Sequence, residues 1–226
     1  MRKLHKILIS VTTAGLLVGG LAACSTTAET PADTTAPSAS AEADPTPVAS
    51  IPALDGVDTQ VTLDQGFVDA LGTLGLTPGV TGDATLTDGV LAFPITGGNV
   101  DYYDPAADYR PYVQGEIGHD GSGITLTAGD IEVGLSDFKI DPGTSRLTGT
   151  VTANGEKVGD DIYIFNLDGS TLKPLATDAD GNAVLEGTTV YVSPDAADLL
   201  NSTFGTDAVT DQLVVGIAKI TAKAAA

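Results

Sequence analysis

The sequence predicts an all-β fold, an antiparallel β-sandwich with one or two short α-helices packed on it. Beyond residue 80, short apolar runs in which apolar and polar side chains alternate recur at close intervals. Gly, Asp, Asn and Pro residues separate these runs, and only two segments show the apolar spacing of a helix. No internal repeat divides the pattern, so we expect one domain with a β core.

The predicted strands are the segments in which every second residue is apolar, as at Ile131, Val133 and Leu135. We expect strands at residues 89–95, 112–118, 123–127, 131–140, 146–153, 162–166, 183–192 and 212–221. The sequences Asp-Pro-Gly at 141–143, Asn-Gly at 154–155 and Asp-Gly-Asn at 180–182 predict hairpin turns with positive φ.

Two helices are predicted from apolar spacing and from their end residues. In residues 63–74, Leu63, Phe67 and Leu71 fall on one face of a helix that Gly75 would end. The second helix begins with Ser193 as N-cap and Pro194 in the first turn, and it ends at Gly205.

The N-terminus has the layout of an export signal. A basic start at residues 1–6 precedes an uncharged apolar run, residues 7–23, and then Cys24. The sequence Leu-Ala-Ala-Cys at 21–24 resembles the lipobox of bacterial lipoproteins, which implies cleavage before Cys24 and a lipid on its sulfur. The alternative is an ordinary signal peptide or an uncleaved anchor, but the glycines in this run make a poor spanning helix.

These features divide the chain into a signal peptide (1–23), a tether (24–53) and one folded domain (54–226). The tether is rich in Thr, Ala, Pro and Ser, so we expect it to be disordered and extended. Cys24 is the only cysteine, so the domain has no internal disulfide.

The predicted domain is strongly acidic, with 26 acidic and seven basic residues and a formal charge of −19 between residues 54 and 226. Such a charge argues against nucleic acid as a partner and against docking on anionic lipid. Solubility explains the charge most simply, and cation binding is the alternative.

Catalytic motifs are absent from the sequence. After export His119 is the only histidine, which excludes a multi-histidine metal site. We find no Gly-x-Ser-x-Gly elbow and no phosphate-binding glycine loop. Asp178, Asp180 and Asn182 alternate as in a calcium loop, but the glycine position favours a hairpin turn. We therefore expect a protein that is not an enzyme.

A tyrosine-rich segment is the most distinctive candidate for a binding surface. Four of the six tyrosines lie within a dozen residues, interspersed with aspartates: Tyr102, Tyr103, Tyr109 and Tyr112. Two interpretations stay open: an exposed aromatic loop that binds a ligand, or a hairpin whose rings cover the edge of the core.

The order of motifs resembles the HtaA domain, a haem-uptake module of actinobacterial cell surfaces. The resemblance rests on residues 93–98, the Gly-Glu-Ile-Gly-His-Asp-Gly run at 115–121, residues 135–140 and residues 199–205. It covers about residues 60 to 210.

This resemblance implies roles for particular residues. His119 would be the pocket histidine and Phe204 the aromatic beside the porphyrin, and Tyr102 and Tyr103 are further candidates for haem contact. The family's iron-binding tyrosine belongs to an early helix, where this chain has Ala70. Haem binding is therefore expected to be lost or altered, with His119 left as the axial ligand. The alternative for His119 is a hydrogen-bonded turn residue beside Asp120.

The sequence thus predicts a binding protein on the extracellular face of the cell membrane, anchored through Cys24, with haem or another small ligand. A ligand binder requires His119, Phe204 and the loop from Tyr102 to Tyr112 to meet at one apolar pocket. The alternative is a non-enzymatic structural or adhesion lipoprotein with a filled core and a cell-envelope protein as partner.

Overall fold

The computed structural model describes residues 45–225, so the predicted signal peptide, Cys24 and most of the tether lie outside the described residues. Within this range the chain forms thirteen strands and two α-helices. The strands are β1 (Ala49–Ile51), β2 (Leu54–Leu63), β3 (Thr77–Gly82), β4 (Thr85–Thr87), β5 (Val90–Pro94), β6 (Gly97–Tyr102), β7 (Val113–Ala128), β8 (Ile131–Asp141), β9 (Arg146–Ala153), β10 (Glu156–Asp168), β11 (Ala176–Thr177), β12 (Ala183–Val192) and β13 (Val214–Ala224). The helices are α1 (Gln65–Leu74) and α2 (Pro194–Phe204), and a 3₁₀ turn spans Gly169–Thr171.

All the strands belong to one antiparallel sheet, in the order β1-β6-β7-β8-β9-β10-β12-β13-β2-β5-β4. β3 pairs with the second half of β7, and β11 pairs with β12. The sheet curls around a single apolar core, which confirms the predicted all-β, sandwich-like fold with two short helices.

A bulge bends β7 and β8 where they pair. Between His119 and Gly123, β7 has more residues than the facing part of β8. Asp137 sits at the bulge with φ of 53°, and its carboxylate accepts a hydrogen bond from the Gly121 N–H at 3.0 Å. Such an irregularity increases the local bend, which lets the sheet close over its core.

Both helices have the predicted caps. The Ser193 Oγ accepts a hydrogen bond from the Ala196 N–H at 3.0 Å and donates one to the Tyr163 carbonyl at 2.7 Å, and Gly205 ends α2 with φ of 66°. Gly75 ends α1 in the same left-handed conformation. The helices follow β2 and β12 and lie at one end of the strands, here called the helix end.

The opposite end of the strands, here called the hairpin end, contains the β8–β9 turn and the 3₁₀ turn after β10. At the β8–β9 turn the positive φ belongs to Ser145 and not to the predicted Gly143. The other two turns agree with the prediction, since Asn154, Gly155 and Gly181 have positive φ. The Asp178 carboxylate accepts hydrogen bonds from the Asp180 and Asn182 N–H groups, as the hairpin interpretation requires.

Several parts of the sheet differ from the prediction. The strands β3, β4, β6 and β11 were not predicted, and β10 extends well beyond the predicted residues 162–166. The two predicted strands at 112–118 and 123–127 are one continuous strand, β7, which begins at Val113, because the chain passes through the bulge without turning back. β2 was not predicted, because its inward positions include Thr59 besides Leu54 and Val61 and the apolar alternation is weak. The predicted tether ends in strand β1, in which Ser50 lies opposite Asp101 of β6.

Candidate functional site

His119 is buried in the core, where its side chain is 1 % exposed. Its Nε2 lies 2.8 Å from the Thr59 Oγ1, and its Nδ1 lies 3.3 Å from the Phe138 carbonyl oxygen. Burial lowers the pKa of His119 to about 4, against the weaker opposing effects of the Phe138 carbonyl and the Asp120 charge. The imidazole is therefore neutral at physiological pH.

Both ring nitrogens of His119 have partners within the protein. A carbonyl can only accept, so Nδ1 donates to Phe138, and the neutral Nε2 then accepts from the Thr59 hydroxyl. No lone pair is left for a metal. The adjoining cavity has a volume of about 50 Å³, which is too small for a porphyrin. His119 is hydrogen-bonded, as in the alternative interpretation, but it lies in the buried strand β7 and not in a turn, and its partners are Thr59 and Phe138.

The buried histidine predicts a pH dependence of stability. Its pKa in the folded state lies below the ordinary value of 6.5, so the unfolded chain takes up the proton first. The stabilisation is complete above pH 6.5 and is lost as the pH falls toward 4. Between pH 7 and pH 5 we expect the free energy of unfolding to fall by about 2 kcal/mol.

Urea unfolding of the wild type and of His119→Gln at both pH values checks this dependence. Glutamine does not titrate, so the variant should lose much less stability than the wild type over the same interval. Equal losses in both proteins would show that other groups cause the dependence.

The helix end is packed, and among the described residues the pocket beneath its two helices is small. Phe204 is half-buried at the last position of α2, and Ala70 is half-buried in α1. The space beneath the helices, between Phe67 and Leu200, amounts to only about 30 Å³. Phe204 and Ala70 therefore border no pocket of haem size at this end.

The largest of these pockets opens at the hairpin end, with a volume of about 480 Å³. We call it the hairpin-end pocket. Its walls are apolar side chains of five strands, Val113 and Ile117 of β7, Ile140 of β8, Leu167 of β10, Leu185 of β12, and Ala218 and Ile220 of β13. The mouth is formed by the loop before β7, the β8–β9 turn and the 3₁₀ turn, through Arg110, Pro111, Tyr112, Pro142, Ser145, Gly169, Ser170 and Leu172.

The tyrosine-rich segment borders this pocket. The buried Tyr102 ring packs edge-on against the Tyr112 ring, with 5.9 Å between centroids, and Tyr112 lines the mouth. Tyr103 packs on Tyr109 in the same loop, at 4.6 Å. Burial and the neighbouring Tyr102 raise the pKa of Tyr112, while Arg110 lowers it. The segment thus combines both sequence interpretations, since Tyr102 covers the core edge and Tyr112 faces a pocket.

The structure therefore does not bring the predicted site residues together. His119 lies in the core and Phe204 at the helix end, while Tyr102 and Tyr103 lie beside the hairpin-end pocket. The sequence did not predict Leu185, Thr188 and Ile220 as site residues, because their strands, β12 and β13, lie far along the chain from Tyr112. The one local feature that pointed to this pocket is the Pro111-Tyr112 pair, which directly precedes strand β7.

Within residues 45–225, no group of three or more His, Cys, Asp or Glu side chains is placed to hold a metal ion. In the same residues, neither helix is long and apolar enough to cross a membrane.

This curled antiparallel sheet with two short helices has an HtaA-like fold, which confirms the predicted resemblance at the level of the fold. The chain is similar to the C-terminal domain of HtaA from Corynebacterium glutamicum, with a TM-score of 0.50 and 13 % identity over 77 % of this chain and 99 % of that one. It is also similar to the haem-binding protein HtaB from the same organism, with a TM-score of 0.47 and 8 % identity over 77 % and 96 % of the two chains. No family model and no curated protein sequence matches this chain.

Proposed function

We propose that this chain is a lipid-anchored, non-enzymatic binding protein of the extracellular face of the cell membrane, and that it binds haem or a similar amphipathic molecule in the hairpin-end pocket. The observation that carries the proposal is the pocket itself. Its volume of about 480 Å³ and its apolar walls with a few polar groups at the mouth are typical of small-molecule sites.

The sequence supports the location. The basic start, the uncharged run and Cys24 are the signals of an exported lipoprotein, and the proline-rich segment after Cys24 would hold the domain away from the membrane. The acidic domain would be repelled by anionic lipid, so the lipid at Cys24 would supply the membrane attachment.

Haem is the first ligand to test, because the sequence motifs and the fold both resemble the HtaA domain. His119 does not fit the role of axial ligand, since both of its nitrogens are occupied. None of the residues that line the hairpin-end pocket is His, Cys or Met, but the Tyr112 phenol lies at its mouth. A tyrosine phenolate is an established ligand of ferric haem, so Tyr112 would take the place of the helix tyrosine. The iron would have to displace a proton that burial favours, and the long hydrogen bond of 3.5 Å from the Tyr112 hydroxyl to the Gly169 carbonyl would be lost.

A hemin titration followed by visible absorbance tests this proposal, with the chain from Ser25 to Ala226 and its Tyr112→Phe and His119→Gln variants. We expect a saturable Soret band in the wild type and a shifted, weakened band in Tyr112→Phe, because that variant lacks the phenolate oxygen. His119→Gln should keep the wild-type spectrum. A band altered only in His119→Gln would place the iron elsewhere.

The second candidate function is a structural or adhesion lipoprotein with a cell-envelope protein as partner. The packed helix end favours it. The family resemblance implies haem contacts at Phe204 and at the position of Ala70, but the pocket beneath these two helices has a volume of only about 30 Å³. A hemin spectrum identical to that of free hemin, in all three proteins, would favour this second candidate.

A further inference from the structure

Arg110 is held in a fixed position at the mouth of the hairpin-end pocket. Its guanidinium donates three hydrogen bonds to backbone carbonyls, to Pro105 at 2.8 Å, Ala107 at 2.6 Å and Tyr109 at 2.8 Å. It also lies over the Tyr112 ring, 5.5 Å from the centroid. The loop thus orders a side chain that would otherwise move freely in solvent.

Arg110 forms no ion pair with a carboxylate of the described residues. In the described residues the three ion pairs all use lysines: Lys139, Lys157 and Lys173. The three carbonyl partners of Arg110 are neutral, so they satisfy its donors without pairing its charge. The nearby Asp104 carboxylate instead accepts from the Ala106 N–H at 2.8 Å.

This arrangement is unusual in so acidic a domain. Residues 54–226 contain 26 acidic but only seven basic side chains, and two of the seven are arginines. Most of the surface therefore repels anions, while the mouth of the one large apolar pocket described above presents a cation. A guanidinium has five N–H donors, of which the carbonyls engage three, so donors remain for a ligand.

We propose that the hairpin-end pocket selects amphipathic carboxylates, with the apolar body of the ligand between the strands and its carboxylate on Arg110. This inference rests on the proposed function and names the ligand class of the same site. Arginine and carboxylate are complementary in shape and charge, and their hydrogen bonds are stronger than those between neutral groups. Arg110 is thus a specificity-determining residue, whose role is independent of whether the ligand contains iron.

The test compares hemin, which has two carboxylates, with its dimethyl ester, in which both are neutral. We expect Arg110→Gln to weaken hemin binding about tenfold, the loss typical of one charge-assisted hydrogen bond, and to change ester binding less than about twofold. Arg146→Gln is the matched control. Arg146 is the domain's other arginine, it lies 4.6 Å from the centroid of the Tyr163 ring and it does not line the pocket, so its loss should affect neither ligand.

Equal weakening of hemin and ester by Arg110→Gln would show that Arg110 only supports the loop, and it would overturn the inference. So would an unchanged affinity for hemin. If the wild type does not bind hemin, the haem proposal fails, and the same variants are titrated with a fluorescent fatty acid and its methyl ester. Preference for the acid that disappears in Arg110→Gln would then support the inference. Equal affinity for acid and ester, or no binding of either, would overturn it.

Discussion

Thr188→Trp is expected to reduce hemin affinity at least about a hundredfold, or by about 3 kcal/mol. Thr188 is half-buried on β12, opposite Ala218 of β13, and it lines the hairpin-end pocket. An indole at this position would fill the apolar space that a ligand needs, so the ligand would lose most of its buried contact. Because the pocket is open, the ring can enter it without displacing the packed core.

The measurement is the hemin titration, with the thermal midpoint of unfolding recorded for each protein. Thr85→Trp is the control, because Thr85 is exposed on the edge strand β4 and does not line the pocket. It should bind hemin as the wild type does. Wild-type affinity in a folded Thr188→Trp protein would place the binding site outside the hairpin-end pocket.

Phe138→Ala is expected to lower the free energy of unfolding by about 3–5 kcal/mol. The Phe138 side chain is 2 % exposed, and its ring packs edge-on against Phe93 with 5.2 Å between centroids. A cavity left there cannot close easily, because Phe138 lies beside the bulge where β7 and β8 bend. The loss would therefore include both the hydrophobic free energy of burying the ring and the cost of the cavity that remains.

Urea unfolding at pH 7 measures this loss, and Phe204→Ala is the comparison. Phe204 is half-buried at the end of α2, so we expect its removal to cost less than half as much. Comparable losses in the two variants would show that the buried Phe138 contributes no more to the free energy of unfolding than the half-buried Phe204.

Local patterns predicted much of the fold. β9 and β12 have the predicted bounds, because strict alternation identifies strands that have one face on a core. The caps of α2 were predicted because Ser193 and Gly205 act on residues only a few positions away. β1 and β2 were missed because their place in the sheet depends on partners far along the chain, β6 and β13.

The site was less predictable than the fold, for the same reason. His119 has its hydrogen-bond partner Thr59 sixty residues away, so no local pattern shows that its nitrogens are occupied. The hairpin-end pocket is assembled from five strands and three turns, and the distinctive tyrosine-rich segment contributes only its last residues, Arg110, Pro111 and Tyr112. Phe204 remains a prediction of the family resemblance, at a position where the helix end is packed.

We expect the ligand to bind at the hairpin end of the sheet and not at the helix end. The most direct test is a ¹H–¹⁵N spectrum of the chain from Ser25 to Ala226, titrated with ferric hemin, because the paramagnetic iron broadens nearby amide signals. We predict selective broadening for Tyr112 to Ile117 and for Gly169 to Leu172, with the signals of α1 and α2 unchanged. Broadening centred on α1, α2 and His119, or none at all, would show that hemin does not bind in the hairpin-end pocket.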